Sequence, residues 1–238
     1  MNYMKGDRVM KVKNALRAEF LEGKTLFSWL FLAFGILLQV FAIVYGYVTG
    51  TPDSVASIIS GLTGIVSVVL CAEGKISFYA FGYVQLLTYV FGVAIPNHLY
   101  GEIWENVFYF ITMIYGTYVW AKNYQKKENG STEIISKRLN KTWGAVVYAV
   151  MVIGIGVLTV VLKNTNDPVP FFDAVTTVPA MGAQILMMLG YRDQWVGWII
   201  EDIASLIMFI ILGNWVMVAQ YTFWTINCIY GWVKWSRQ

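Results

Sequence analysis

Two indoles one helical turn apart, with a carboxylate one turn further on, form the sharpest chemical pattern in the chain: Trp195-x-x-Trp198-x-x-x-Asp202. Ser205 and Phe209 continue the stripe, because residues three and four apart share one face of a helix. Indole faces stack on flat rings and attract cations. A carboxylate accepts hydrogen bonds from hydroxyls or neutralises a positive charge. The pattern therefore suits a flat, hydroxylated or cationic small molecule. Asp202 stands in a run of Val, Ile, Leu and Met, and ionisable groups at membrane depth face a cavity or a partner. An interfacial belt tryptophan is the competing reading of Trp195.

Other polar residues interrupt apolar runs and are candidates for the same ligand. Gln85 and Tyr89 share one helical face; Glu102, Glu105 or Asn106, and Tyr109 share another; Gln184 stands in a third run, and Trp224 with Asn227 in a fourth. Interhelical hydrogen bonding is the alternative role, above all for Gln184 and Asn106. Glu102 reads as an outer-interface carboxylate, Gln39 as a packing contact, and Glu201 as turned toward a neighbouring helix or subunit. Pro179 with Gly182 loosens one run, and Gly61 with Gly64 softens another. These four suit a hinge between moving halves, with small-residue packing as the competing explanation. A metal site is not expected, since the chain has one histidine and no paired ligand spacing. Cys71 and Cys228 read as reduced packing residues with no disulfide.

The elements that position these groups follow from composition. With 58% hydrophobic and 13% charged residues over 238 positions, the chain cannot cover a water-soluble surface. A hydrocarbon core of about 30 Å needs roughly 20 apolar residues in a helix. Eight runs qualify: 26–48, 55–72, 76–95, 103–120, 143–162, 171–189, 195–212 and 215–235. Between them lie Gly50-Thr51-Pro52-Asp53, Glu73-Gly74-Lys75, Pro96-Asn97-His98, Asn166-Asp167-Pro168, Tyr191-Arg192-Asp193 and Gly213-Asn214. Alternating strand patterns are absent, which argues against a β-barrel. An all-α integral membrane protein is expected.

Basic residues orient the spans. With a cytoplasmic N-terminus, all but Lys163 of the 17 Lys and Arg fall inside, and both termini are cytoplasmic. That asymmetry accounts for the net charge of +3 without a nucleic-acid partner. No cleavable signal peptide is read. Residues 4–24 carry Val9, Val12, Leu16 and Phe20 at helical spacing, which suits either a basic amphipathic helix on the inner leaflet or a frayed tail.

A repeat runs through the chain. Ile114-Tyr115-Gly116 with Trp120 returns as Ile229-Tyr230-Gly231 with Trp235, an offset of 115. The same offset brings Gly61 and Gly64 onto Thr176 and Pro179, and the Gln85 region onto Glu201–Asp202 within one residue. Two three-helix units joined by one reversing span run in the same sense, a transporter plan with its substrate site between the halves. The expected organisation is a cytoplasmic segment 1–25, an extra span 26–54, a first repeat 55–121, a loop and linker span 122–170, and a second repeat with a short tail 171–238.

Taken in order, several motifs resemble the bacterial PnuC-type vitamin transporters. They are Gly74-Lys75-Ile76-Ser77 followed by Phe81-Gly82; Ile114-Tyr115-Gly116 with Trp120; Pro170-Phe171-Phe172-Asp173; and Trp195-x-x-Trp198-x-x-x-Asp202. The resemblance runs from Ser60 to Trp235. It implies a three-plus-one-plus-three core like that of the SWEET sugar transporters, in a bacterial inner membrane. It implies facilitated diffusion of nicotinamide riboside, an NAD precursor, trapped by intracellular phosphorylation; relatives take thiamine or riboflavin. It further implies a homotrimer in membrane lipid, no cofactor and no nucleic-acid partner. The Trp-x-x-Trp pair is similar to the family's substrate motif, with Asp202 where Asn is also found. Gln85 matches a position where members often carry an amide, whereas Asn227 rests on its helix face alone.

Two other classes compete. A membrane-embedded hydrolase would draw on Glu102, Glu105 and Asp202 but lacks the histidine pairs of the metallo-enzymes. A receptor would bind without transport.

Overall fold

In a bilayer, backbone groups find no water to bond, and a helix satisfies them internally. The computed structural model describes residues 10, 13–50, 52, 54–96, 100–126, 132–164, 169–211 and 215–238, and among these the chain is mostly helical. The long helices are α1 (Leu26–Thr49), α2 (Val55–Ala72), α3 (Phe78–Tyr89), α4 (Tyr100–Asn123), α5 (Lys141–Leu162), α6 (Pro170–Met188), α7 (Gln194–Ile211) and α8 (Trp215–Ser236). A π turn, Val90–Ala94, carries α3 onward. Each helix lies within three residues of the apolar run predicted for it, α3 being counted together with its π turn to Ala94. Among the described residues α1, α2, α5 and α6 combine the length and apolarity needed to cross a membrane. The predicted turn residues Thr51, Asp53, Asn97, His98, Asn166, Asp167, Pro168, Gly213 and Asn214 lie outside the described residues, as do Lys5, Arg8, Val9, Lys11, Val12 and Lys127.

Local chemistry sets the helix ends. Thr25 and Ser28 exchange side-chain-to-backbone bonds of 3.2 and 3.3 Å at the start of α1, a reciprocal cap. Ser54 accepts from Ser57 N at 3.1 Å to open α2, and Asn140 accepts from Trp143 N at 2.8 Å to open α5. α2 and α6 are followed by Gly74 and Gly190, with φ of 70° and 75°. Only glycine enters that region without strain.

Packing divides the described residues into two compact units. The first contains the chain through Asn106 together with Trp120–Ile135. Within it α1 packs on α2 and α2 on α3. Gly61 gives Gln39 of α1 its space, so the packing contact expected of Gln39 is made across that glycine. Trp120 is fully buried against Phe78 and Tyr79, with ring centroids at 4.7 and 5.5 Å.

Two short antiparallel strands, β1 (Tyr124–Lys126) and β2 (Thr132–Ile134), join this unit, with Tyr124 opposite Ile134. The Gly74 carbonyl accepts from Ile134 N at 2.9 Å. The Lys75 side chain is fully buried, and its ammonium donates to the carbonyls of Ala18, Glu22 and Thr132 at 3.0, 3.3 and 3.0 Å. All three of its protons thus have acceptors. Glu19 accepts from Ser77 N at 2.8 Å and from the Tyr124 phenol. Burial and the Glu19 carboxylate hold that phenol above the ordinary tyrosine range. Phe20 meets Phe81 edge-on, with centroids 6.4 Å apart. The N-terminal stretch is docked on protein through the Ala18 and Glu22 carbonyls, the Glu19 carboxylate and the Phe20 ring.

The second unit contains Val107–Val119 and Ser136–Gln238. α6 packs between α5 and α7, and α7 packs along α8. A Cβ at Gly197 would meet the Ala183 side chain at 2.8 Å and the Pro179 carbonyl at 3.1 Å, so the missing side chain lets α7 approach α6. The Gly190 carbonyl accepts from Lys137 N at 2.8 Å. Each unit thus uses the carbonyl of a left-handed glycine to catch the extended segment after α4.

Candidate functional site

The candidate residues fall into two sets, each within one unit. In the first unit Gln85 is half-buried on α3 and leans over Gly64, whose added Cβ would lie 3.4 Å from the Gln85 side chain. Its backbone carbonyl accepts from Ser60 Oγ at 3.2 Å. Gly64 thereby supplies the room in which the Gln85 amide rests on α2. Tyr89, also half-buried, is the last residue of α3 before the π turn, and Asn106 on α4 is 9% exposed. Glu102 lies on α4, but its side chain falls outside the described part.

The second unit contains the α7 stripe. Trp198 is half-buried and meets Tyr109 of α4 edge to face, with centroids 6.4 Å apart and planes at 62°. Gln184 of α6 is 3% exposed and donates from Nε2 to Thr112 Oγ1 at 3.0 Å. α4 is thus tied to α7 by aromatic contact and to α6 by an amide–hydroxyl bond less than one turn further along. The interhelical role foreseen for Gln184 is realised here.

One turn past Trp198, Asp202 is 2% exposed and its Oδ2 has no hydrogen-bond partner among the described residues. Cys228 of α8, on the helix packed along α7, is 7% exposed. Glu201 Oε1 accepts from Ser205 Oγ at 2.9 Å. Glu201 therefore turns along its own helix toward Ser205. Asn227, next to Cys228, is 1% exposed, and Trp224 one turn earlier meets Tyr221 at 5.1 Å. The Phe209 side chain lies outside the described part.

Trp195 has different surroundings. It is 2% exposed and edge-on to Trp235, with centroids 5.7 Å apart and planes at 87°. A Cβ at Gly231 would fall 2.6 Å from its ring. Its contacts are those of an interior aromatic, and its indole faces are not open in this structure. Pro179 is buried in α6 with its carbonyl against Gly197, and Gly182 of the same helix takes the Met151 side chain of α5. Sequence reasoning missed Thr112 as the partner of Gln184. A polar residue opposite another polar residue on a neighbouring helix leaves no periodic signal.

A helical multi-pass membrane protein with buried polar side chains held between its helices is the class these observations define. Comparison with known proteins narrows it. Residues 54–237 match the family described as nicotinamide mononucleotide transporter. The chain is 31% identical to the nicotinamide riboside transporter PnuC of Haemophilus influenzae over 96% of its own length and 97% of that protein. It is 30% identical to the nicotinamide riboside transporter PnuC of Neisseria mucosa, covering 88% of this chain and 80% of that one. The crystal structure of the vitamin B3 transporter PnuC superposes with a TM-score of 0.76 at 28% identity, over 93% of this chain and 95% of the other. The chain belongs to the PnuC transporter family.

Proposed function

We propose that this protein carries nicotinamide riboside across a bacterial inner membrane by facilitated diffusion, with phosphorylation inside the cell trapping the product. The observation that carries the reading is on α7. A half-buried indole, Trp198, stands one turn before a buried carboxylate, Asp202, whose Oδ2 has no hydrogen-bond partner among the described residues. Nicotinamide riboside bears a flat, positively charged pyridinium ring. The indole offers it stacking and cation–π attraction, worth about 0.5–2 kcal/mol depending on desolvation. The carboxylate offers the opposite charge. The names of the relatives support the choice of this vitamin over other flat cations.

In this reading all eight long helices span the bilayer and both termini are cytoplasmic. α1 stands outside a three-plus-one-plus-three core of the SWEET type, and three copies assemble in the membrane. The positive-inside distribution supports the orientation, and the recurring glycine and tryptophan contacts support the repeat. No cofactor is required, and catalysis plays no part.

The test is uptake of labelled nicotinamide riboside into proteoliposomes without an imposed ion gradient. Wild type is expected to equilibrate the label, and Trp198→Ala to raise KM about tenfold, which corresponds to about 1.4 kcal/mol. Equal uptake by both proteins would defeat the assignment of Trp198.

A further inference from the structure

Three contacts close a triangle beside Trp198, and each joins a different pair of helices in the second unit. α6 meets α7 where Gly197 makes room for Ala183, an added Cβ falling 2.8 Å from that side chain. α7 meets α4 where the Trp198 ring stands edge to face with Tyr109, centroids 6.4 Å apart. α4 meets α6 where Gln184 Nε2 donates to Thr112 Oγ1 at 3.0 Å. Each helix contributes neighbouring positions to its two contacts: 183 and 184, 197 and 198, 109 and 112.

The Thr112 hydroxyl also donates to the carbonyls of Phe108 and Tyr109, at 2.9 Å each. One proton shared between two carbonyls of its own helix leaves the oxygen lone pairs to accept from Gln184. The α6 amide is thereby linked, through one oxygen, to the backbone of the residue whose ring meets Trp198. Gln184 is 3% exposed, and a buried amide is costly to leave without its acceptor. Trp198 itself is only half-buried, and the ring torsion of an aromatic side chain is broad. Stacking on a flat ring depends on the plane of the indole. We infer that Tyr109 and Thr112 are positioning residues of the substrate site: the Gln184–Thr112 bond sets the place of Tyr109, and the Tyr109 ring fixes the plane in which Trp198 meets a flat cation. The inference rests on the reading of Trp198 as the stacking group. Without either residue the indole turns away in a share of molecules. Affinity then falls by the fraction left in the competent orientation.

The test is calorimetric binding of nicotinamide riboside to purified protein, with thermal midpoints recorded alongside. Tyr109→Leu is expected to weaken binding about fivefold and Thr112→Val about threefold, within the range of coupling between residues in contact. Tyr109→Phe keeps the ring and Thr112→Ser keeps the hydroxyl, and each is expected to bind within about twofold of wild type. Thr112→Val also orphans the Gln184 amide, so a second protein carrying both Thr112→Val and Gln184→Leu separates stability from position. That double variant is expected to regain thermal midpoint but not affinity. On a Trp198→Ala background Tyr109→Leu is expected to cost less than about 1.5-fold, because the ring it steadies is gone. An undiminished Tyr109→Leu effect on that background would overturn the inference. So would equal losses for valine and serine at position 112, or affinity that returns with the midpoint in the double variant. Wild-type binding by Trp198→Ala alone would instead overturn the reading of Trp198, and the inference with it.

Discussion

At position 195 the indole is 2% exposed and edge-on to Trp235, whereas the indole at 198 is half-buried and meets Tyr109. Both residues were expected on one ligand-facing stripe, and helical spacing cannot separate them: it reports which face a residue is on, not what closes over that face. The two substitutions should therefore separate. Trp195→Ala empties a ring-sized volume against Gly231 and Trp235, and is expected to lower unfolding stability by about 3 kcal/mol. Trp198→Ala acts instead on substrate affinity, as proposed above. Chemical unfolding of the two variants in the same detergent checks the contrast, and an equal stability loss at both positions would remove the distinction drawn between them. Asp202 was legible as a buried acid because a charge in an apolar run stands out in any sequence.

At the level of elements, the helix bounds were legible almost throughout because an apolar run of membrane length has few other solutions. The β1–β2 hairpin and the docking of residues 13–22 were not. Both are held by backbone bonds across long sequence separations, such as Ile134 N to the Gly74 carbonyl and Lys75 Nζ to those of Ala18, Glu22 and Thr132. Carbonyls carry no sequence signature. Lys75 is the residue that joins these pieces, and a neutral side chain there leaves buried acceptors without a donor. Lys75→Met is expected to cost about 2–4 kcal/mol, the desolvation penalty of such groups being about 1–3 kcal/mol each with partial relief from water. Amide hydrogen exchange over residues 13–22 should rise in the same variant before global unfolding. Unchanged protection of that stretch would mean that Phe20 and Glu19 hold it without the ammonium.

Across the whole molecule, one arrangement recurs at almost constant spacing. Trp120 packs on Tyr79 edge-on, and Trp235 packs on Trp195 edge-on. Gly74 and Gly190 each turn left-handed and each offers a carbonyl to the strand or linker after α4. The proposed duplication of a three-helix unit accounts for the same hydrogen bond and the same ring geometry in two units, and it carries a requirement about direction. If both units were inserted in the same sense with one reversing span, α5, between them, then the spans total eight with α1, and the ends of the chain share a compartment. The charge distribution supports the same proposal independently, since all but Lys163 of the 17 basic residues then lie on the cytoplasmic side. Single cysteines placed at position 163 and at the C-terminal end, in a background with Cys71 and Cys228 replaced, can be labelled in intact cells with a membrane-impermeant maleimide. Labelling is expected at 163 without permeabilisation and at the C-terminal end only after it. The reverse pattern would mean that the basic residues face outward. Labelling of both in intact cells would mean that the spans between them are even in number, and the repeat could not be built as two like-directed halves.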